Sequence, residues 1–338
     1  MPKILQLLLK HKKVYICVVA VYVALFVLTA FTIARKTVNL GELGTLAYPI
    51  HHTTARSTQA FQPTQLPTTF RGTKPNVISY PEALTPVLRR LHQGEAVRVL
   101  QIGDSHVRGN YFPNAVGETL QRLIGGGVLE GVDMDVAPAI DGGISFDYLA
   151  KNGAHASLYC EPDKIDDICA RRPDLLIVSF GTNEAHGHFD SALHQQTLQQ
   201  LVSQVRERCP DVCFLFTTPP GSYVTTQGHR WRDRRGRWHY NTSHGANPRT
   251  ETVAQAIDTF AREQHHAVWN IFEIAGGAAH AAANWRNGGY MQADCIHYTA
   301  QAYTLQGQLL GEAIAQAYFQ QSEPSQQFPN SLPPTPSQ

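Results

Sequence analysis

The chain has 338 residues, 43% of them hydrophobic, with 28 Lys and Arg against 27 Asp and Glu and a formal net charge of +1. That length allows one large domain or two small ones, with tails. The balanced charge excludes the broad basic field that general nucleic-acid affinity requires, so no nucleic-acid partner is expected.

Lys3, Lys10, Lys12 and Lys13 lie in residues 1–13, and residues 14–34 then run without a charged side chain. At about 1.5 Å per residue such a run spans roughly 30 Å as a helix, one bilayer core. It has no polar face, which argues against a globular helix. The lysines ahead of it outnumber Arg35 and Lys36 behind it, so residues 1–13 are expected in the cytoplasm and the remainder outside. The expectation is a transmembrane signal-anchor over 14–34. Thr32-Ile33-Ala34 also offers a small-x-small cleavage site, the mark of a removed signal peptide and a soluble exported protein. Residues 35–81, rich in Thr, Gln and Pro without sustained periodicity, read as a linker.

Residues 97–102 form a short β-branched run ending in Gly103, a buried-strand signal. Residues 175–180 repeat it and end in Gly181, residues 213–217 are stopped by Pro219-Pro220-Gly221, and residues 268–272 make a fourth. Residues 193–208 and 252–264 carry apolar side chains at helical spacing. Alternating strands and helices predict a parallel sheet covered on both faces, a three-layer α/β/α sandwich of flavodoxin-like topology over residues 82–320. Sites in such sheets lie beyond the carboxyl ends of the strands, where Ser105 and Asn183 fall. Residues 321–338, turning to Gln, Ser and Pro, are expected to be a disordered tail.

Export changes how the cysteines read. Cys17 lies in the apolar run, while Cys160 and Cys169, or Cys209 and Cys213, are close enough in sequence to bridge locally in an oxidising compartment. No Cys-x-x-Cys with partner histidines is present, so no metal site is expected. Cys295 reads as an apolar filler rather than a nucleophile.

Four short strings follow one another in order: Gly103-Asp104-Ser105-His106, Asn152-Gly153, Gly181-Thr182-Asn183-Glu184 and Asp294-Cys295-Ile296-His297. A serine hydroxyl needs an adjacent base, and His297 can take and return its proton. Asp294, three residues earlier, is placed by a helical turn on the same face, where it can orient the ring. The backbone N–H groups of Ser105 and Gly153 and the Asn183 amide would hold an oxyanion; Gly142 and Gly143 compete with Gly153. Asp104 and His106 read as shaping the turn, and His186 and His188 as solvated loop residues that could also line the pocket.

This ordered set resembles the SGNH (GDSL-like) hydrolases across residues 95–318. His106 stands where the commonest family form has Leu. With Thr217-Thr218-Pro219-Pro220-Gly221-Ser222-Tyr223, Asn247-Pro248, Gly276-Gly277 and the Tyr298-Thr299 that follows His297, the chain looks like the exported bacterial branch that includes peptidoglycan O-acetylesterases. Members of that branch can carry a β-rich module between the nucleophile and asparagine blocks, and too few residues separate Ser105 from Asn183 to hold one.

The resemblance implies a serine esterase without cofactor, anchored in the bacterial inner membrane with its domain in the periplasm and O-acetylated envelope glycan as substrate. An acetyltransferase with the same triad would need a membrane acyl-transfer partner. Another ester or lipid hydrolase, and a non-catalytic envelope scaffold, are the remaining readings. The stretch 229–240 interleaves cations and aromatics. In it Arg230, Trp231, Arg234 and Trp238 are candidates for stacking on sugars and pairing with their carboxylates, or belong to a solvated hairpin.

Overall fold

The computed structural model describes residues 63–124 and 143–322. The predicted signal-anchor, most of the linker and nearly all of the tail lie outside the described residues. Among the described residues no helix is long and apolar enough to cross a membrane.

In chain order the helices are α1 (Thr85–His92), α2 (Ser105–Arg108), α3 (Tyr111–Ile124), α4 (Pro162–Ala170), α5 (Thr182–His186), α6 (Ser191–Arg208), α7 (Arg249–Glu263), α8 (Ile271–Ile274), α9 (Gly277–Asn287) and α10 (Ala300–Ser322). The strands are β1 (Val97–Gly103), β2 (Ile144–Ala150), β3 (Leu175–Ser179), β4 (Cys213–Thr217), β5 (Tyr223–Arg232), β6 (Trp238–Ala246) and β7 (Ala267–Trp269). Five of them form one sheet in the order β2-β1-β3-β4-β7, with every pairing parallel. With the β5–β6 hairpin set aside, that is the 2-1-3-4-5 order of flavodoxin-like sheets.

Strand alternation explains the layers, because successive side chains point to opposite faces. Val97, Val99, Leu175, Ile177, Leu215 and Trp269 face one core, which α1, α3, α8, α9 and α10 close with residues such as Leu88, Val116, Ile271, Trp285 and Leu310. Leu100, Ile102, Leu176, Val178, Phe214 and Phe216 face the other, closed by α4, α6 and α7 through residues such as Ile168, Leu201 and Phe260. Each such side chain, fully buried, contributes about 1.5–3 kcal/mol, so both layers are held by apolar burial. Helices α3 and α10 approach so closely that a Cβ on Gly311 would lie 2.7 Å from Thr119 Cβ.

Three departures from the sequence reading have physical causes. Residues 63–81 pack on the domain instead of acting as linker: Phe70 and Ile78 are buried, the Thr64 backbone N–H donates to Glu312 at 2.7 Å, and Ser79 bridges Val268. Isolated apolar residues without periodicity leave no local signal of such burial. Strand β2 carries Ser145 and Asp147 and buries only Ile144, as an edge strand can, so the apolar pattern is missing. The predicted fourth strand stops at Trp269, because the Asn270 side chain accepts from the Glu273 N–H at 3.1 Å and starts α8.

The described cysteines are free thiols. The local pairs Cys160–Cys169 and Cys209–Cys213 are not bridged. Cys160 Sγ instead donates to Thr197 O at 3.5 Å, and Cys213 is buried in β4.

Candidate active site

Strand β1 ends at Gly103, where a Cβ would fall on Val107 and lie 2.9 Å from Ser179 O. Only glycine lets the chain turn there into α2. Asp104 caps that helix, its Oδ1 accepting the His106 N–H at 2.9 Å, and Ser105 opens it.

The predicted triad is brought together. Ser105 Oγ lies 2.9 Å from His297 Nε2, and His297 Nδ1 lies 2.7 Å from Asp294 Oδ2. An ionised carboxylate only accepts, so Nδ1 carries the ring proton and Nε2 is left to accept from the serine. Burial pushes the Asp294 carboxyl up, but the hydrogen bonds from the His297 ring and from the Ile296 and His297 N–H groups outweigh it and bring it down to about 2.

The local backbone differs from the predicted helical turn. Residues 294–297 form a tight loop before α10 in which Asp294 Oδ1 accepts the N–H groups of Ile296 and His297, each at 3.0 Å. Cys295 takes a left-handed φ of 55°, and the Gln292 N–H donates to His297 O at 2.8 Å. One carboxylate thus shapes the loop with one oxygen and holds the imidazole with the other. Cys295 is buried.

His106 stacks on His297 with ring centroids 5.3 Å apart. Burial, then the neighbouring His297, drives its value down to about 3, so the catalytic imidazole rests on a neutral ring. Tyr303 Oη accepts the Tyr298 N–H at 3.2 Å and lies 3.0 Å from His106 Nδ1, to which it is hydrogen-bonded. The sequence held no signal of this support, since Tyr303 is six residues past His297 on another element.

The expected oxyanion donors gather at the carboxyl ends of β1, β2 and β3. The turn after β2 is closed by the Ala154 N–H donating to Lys151 O at 3.2 Å. In it Gly153 has a φ of 68°, which glycine enters freely. A Cβ on Gly153 would meet nothing within 4 Å, so its outer side is open. Gly143, by contrast, lies at the amino end of β2, its carbonyl accepting the Val97 N–H at 2.8 Å; Gly142 lies outside the described residues. Asn183 sits in the first turn of α5, and its amide donates to Ala154 O at 2.9 Å and to Asp104 Oδ2 at 3.1 Å.

The sequence carries no signal of that Asp104–Asn183 contact, though both residues lie within the motifs. Asp104 is buried, and its carboxyl is pushed up to about 7, chiefly by burial, with Glu184 adding and the His106 N–H opposing. His186 is half-buried, its Nε2 2.9 Å from Ser222 Oγ, while His188 is exposed.

The stretch after β4 is the hairpin β5–β6. Its root joins the triad loop: the Tyr223 N–H donates to Cys295 O at 2.9 Å, and Tyr298 Oη donates to Gly221 O at 2.5 Å. Arg230 pairs across the hairpin with Tyr240, Trp231 with His239, and Arg232 with Trp238. The Arg230 guanidinium lies 3.8 Å from the Trp238 ring centroid, and Trp231 stacks on His239 at 4.7 Å. Alternation places Trp231 on the opposite face from Arg230 and Trp238. Arg234 is exposed in the turn, so the four candidates do not share one surface.

A hydroxyl lined up on an imidazole, itself lined up on a carboxylate, can carry an acyl group as a serine ester. On a flavodoxin-like sheet this defines an α/β acylhydrolase. The chain belongs to the GDSL-like lipase/acylhydrolase family, which it matches over residues 102–305.

Among solved structures it is similar to a peptidoglycan O-acetylesterase, with 19% identity and a TM-score of 0.57 over 72% of this chain and 99% of that one. It is also similar to a two-domain esterase active on acetylated mannans, solved with mannopentaose (14% identity, TM-score 0.48, 75% of this chain and 61% of that one). A third is TesA (18%, TM-score 0.41, 65% and 99%). At these identities the likeness is one of fold. No curated sequence matches the chain.

Proposed function

We propose that this chain is a serine O-acetylesterase acting on cell-envelope glycan, with peptidoglycan as the leading substrate. Residues 14–34 hold it to the periplasmic face of the inner membrane. The observation that carries the catalytic part is the continuous line from Ser105 Oγ through His297 to Asp294, at 2.9 and 2.7 Å.

In this reading His297 takes the proton of Ser105 as the hydroxyl attacks the acetyl carbonyl, and then returns it to the departing sugar oxygen. The carbonyl oxygen becomes an oxyanion beside the N–H groups of Ser105 and Gly153 and the Asn183 amide. Water, deprotonated by His297, then releases acetate. The glycan reading is supported by the cations and aromatics of the hairpin that springs from the triad loop, and by the N-terminal lysines and apolar run.

The test is acetate released from O-acetylated peptidoglycan by the full chain in mild detergent, beside Ser105→Ala. Release by the wild type alone is expected. If the wild type cleaves p-nitrophenyl acetate but leaves the wall acetate in place, another acylated glycan or a sugar hydroxyl acceptor replaces this substrate. A supplied acyl donor with glycan acceptor then separates esterase from transferase. Equal release by both chains would remove Ser105 as nucleophile.

A further inference from the structure

Glu184 completes the Gly181-Thr182-Asn183-Glu184 block, yet no step of the chemistry uses it. It is buried, and burying a carboxyl costs stability unless the group is engaged. Its Oε1 accepts the Ala156 N–H at 2.9 Å and lies 3.8 Å from His155 Nδ1. Oε2 is buried without a hydrogen-bond partner among the described residues. The hydrogen bonding of this side chain therefore goes to one segment, the loop that leaves β2 and carries Gly153.

That loop needs a hold from outside itself. Gly153 is exposed, whereas Ala154 and Ala156 are buried. The short 3₁₀ turn Ala156–Cys160 starts without a side-chain cap from His155. Its first amide is one of those that a helix start leaves unpaired, and Glu184 takes it from another element. Asn183, one residue earlier, donates to Ala154 O at 2.9 Å. Asn183 and Glu184, about 100° apart around the axis of α5, thus hold Ala154 by its carbonyl and Ala156 by its amide. Gly153 is the next residue outward.

We propose that Glu184 is a positioning residue for the oxyanion hole. Through the Ala156 N–H it fixes the Gly153 loop against the helix that carries Asn183, so that the Gly153 N–H and the Asn183 amide converge on one carbonyl oxygen. The role rests on the serine-esterase reading above and on Gly153 as an oxyanion donor. Such donors work because they stand in place before charge develops, and a misplacement of about 1 Å costs on the order of 100-fold in rate. Glu184 acts only through the loop.

The test sets the wild-type full chain, in mild detergent, beside Glu184→Met and Glu184→Gln. The substrate is p-nitrophenyl acetate, and the inhibitor is a trifluoromethyl ketone, whose adduct with Ser105 carries an oxyanion. In Glu184→Met, which keeps the length and removes the acceptor, kcat is expected to fall roughly 100-fold with KM within about twofold. Ki for the ketone should rise by the same factor as kcat/KM falls, because the adduct resembles the transition state. Glu184→Gln still offers an oxygen to the Ala156 N–H and should return both constants to within about tenfold of wild type. A smaller folded fraction lowers kcat and leaves Ki where it was, so a fall in kcat at unchanged Ki would overturn the proposal. Wild-type kinetics in Glu184→Met would do the same. Hydrogen exchange on the wild type does not depend on a variant folding: the Ala156 amide is expected to be protected, and exchange as fast as that of exposed loop amides would overturn the proposal. If the wild type shows no Ser105-dependent hydrolysis, the esterase reading falls, and this role with it.

Discussion

Asn183 donates to Asp104 Oδ2 at 3.1 Å, so a residue expected to hold an oxyanion is tethered to the residue directly before Ser105. Its other acceptor is Ala154 O, next to Gly153. One side chain thus ties together the loops that follow β1, β2 and β3. An amide has two N–H groups, and both have acceptors here. An oxyanion must share or draw away one of these protons.

Asn183→Ala is therefore expected to act twice. Loss of one oxyanion donor lowers kcat roughly 100- to 1,000-fold. Leaving buried Asp104 Oδ2 without its partner costs about 1–3 kcal/mol of stability. Steady-state kinetics on p-nitrophenyl acetate and urea unfolding measure the two effects separately. A normal kcat with lowered stability would make Asn183 only a tether.

Ser105→Ala should abolish acyl release with little change in folding, because among the described residues the hydroxyl is engaged only with His297. Asp294→Asn should lower kcat on the order of 10⁴-fold by disturbing the ring tautomer. The carboxylate sits at about 2, so loss of wild-type activity between pH 4 and 7 arises from another group. A pH–rate profile whose acid limb disappears in Asp294→Asn would contradict this.

Asp104 leaves a signature in stability against pH. Its carboxyl rises from 3.8 to about 7 on folding, so between those values the folded chain holds a proton that the unfolded chain has lost. Its contribution is present below about pH 4 and is lost as pH rises to about 7, by on the order of a few kcal/mol. His106 and His266, lowered by burial to about 3 and about 4, act in the opposite sense: stability rises with pH as the unfolded rings release their protons near 6.5. The Asp104 share must be read as a difference. Unfolding of wild type and Asp104→Asn at pH 4.5, 6 and 8 should show the variant gaining on the wild type as pH rises, and parallel curves would refute the buried proton.

The hairpin separates glycan binding from chemistry. Arg230 and Trp238 share one face at 3.8 Å, remote in sequence from the triad. Replacing both with Ala should raise KM for acetylated glycan roughly 30-fold, with stacking and ion pairing each worth on the order of 1 kcal/mol. KM for p-nitrophenyl acetate should stay unchanged. Equal effects on both substrates would mean that the hairpin only supports the triad loop from its root.

The sequence alone carried the sheet's buried strands, the two long helices of one face and the order of the chemical blocks. These are local properties: β-branched runs, 3.6-residue spacing and short motifs at strand ends. It also singled out Ser105, Asn183, Asp294 and His297, because few residue types suit nucleophile, donor, carboxylate and base.

Only the tertiary structure decided what depends on burial and on contacts distant along the chain. Residues 63–81 became part of the domain because Phe70 and Ile78 found a core. The turn 294–297 gave up helical geometry because Asp294 serves both its backbone and His297. Gly153 was separated from Gly143 by which end of β2 each occupies. Helices α4 and α6 came together over one face of the sheet, clasped by Arg208 and Asp166, a proximity that no spacing along the chain encodes.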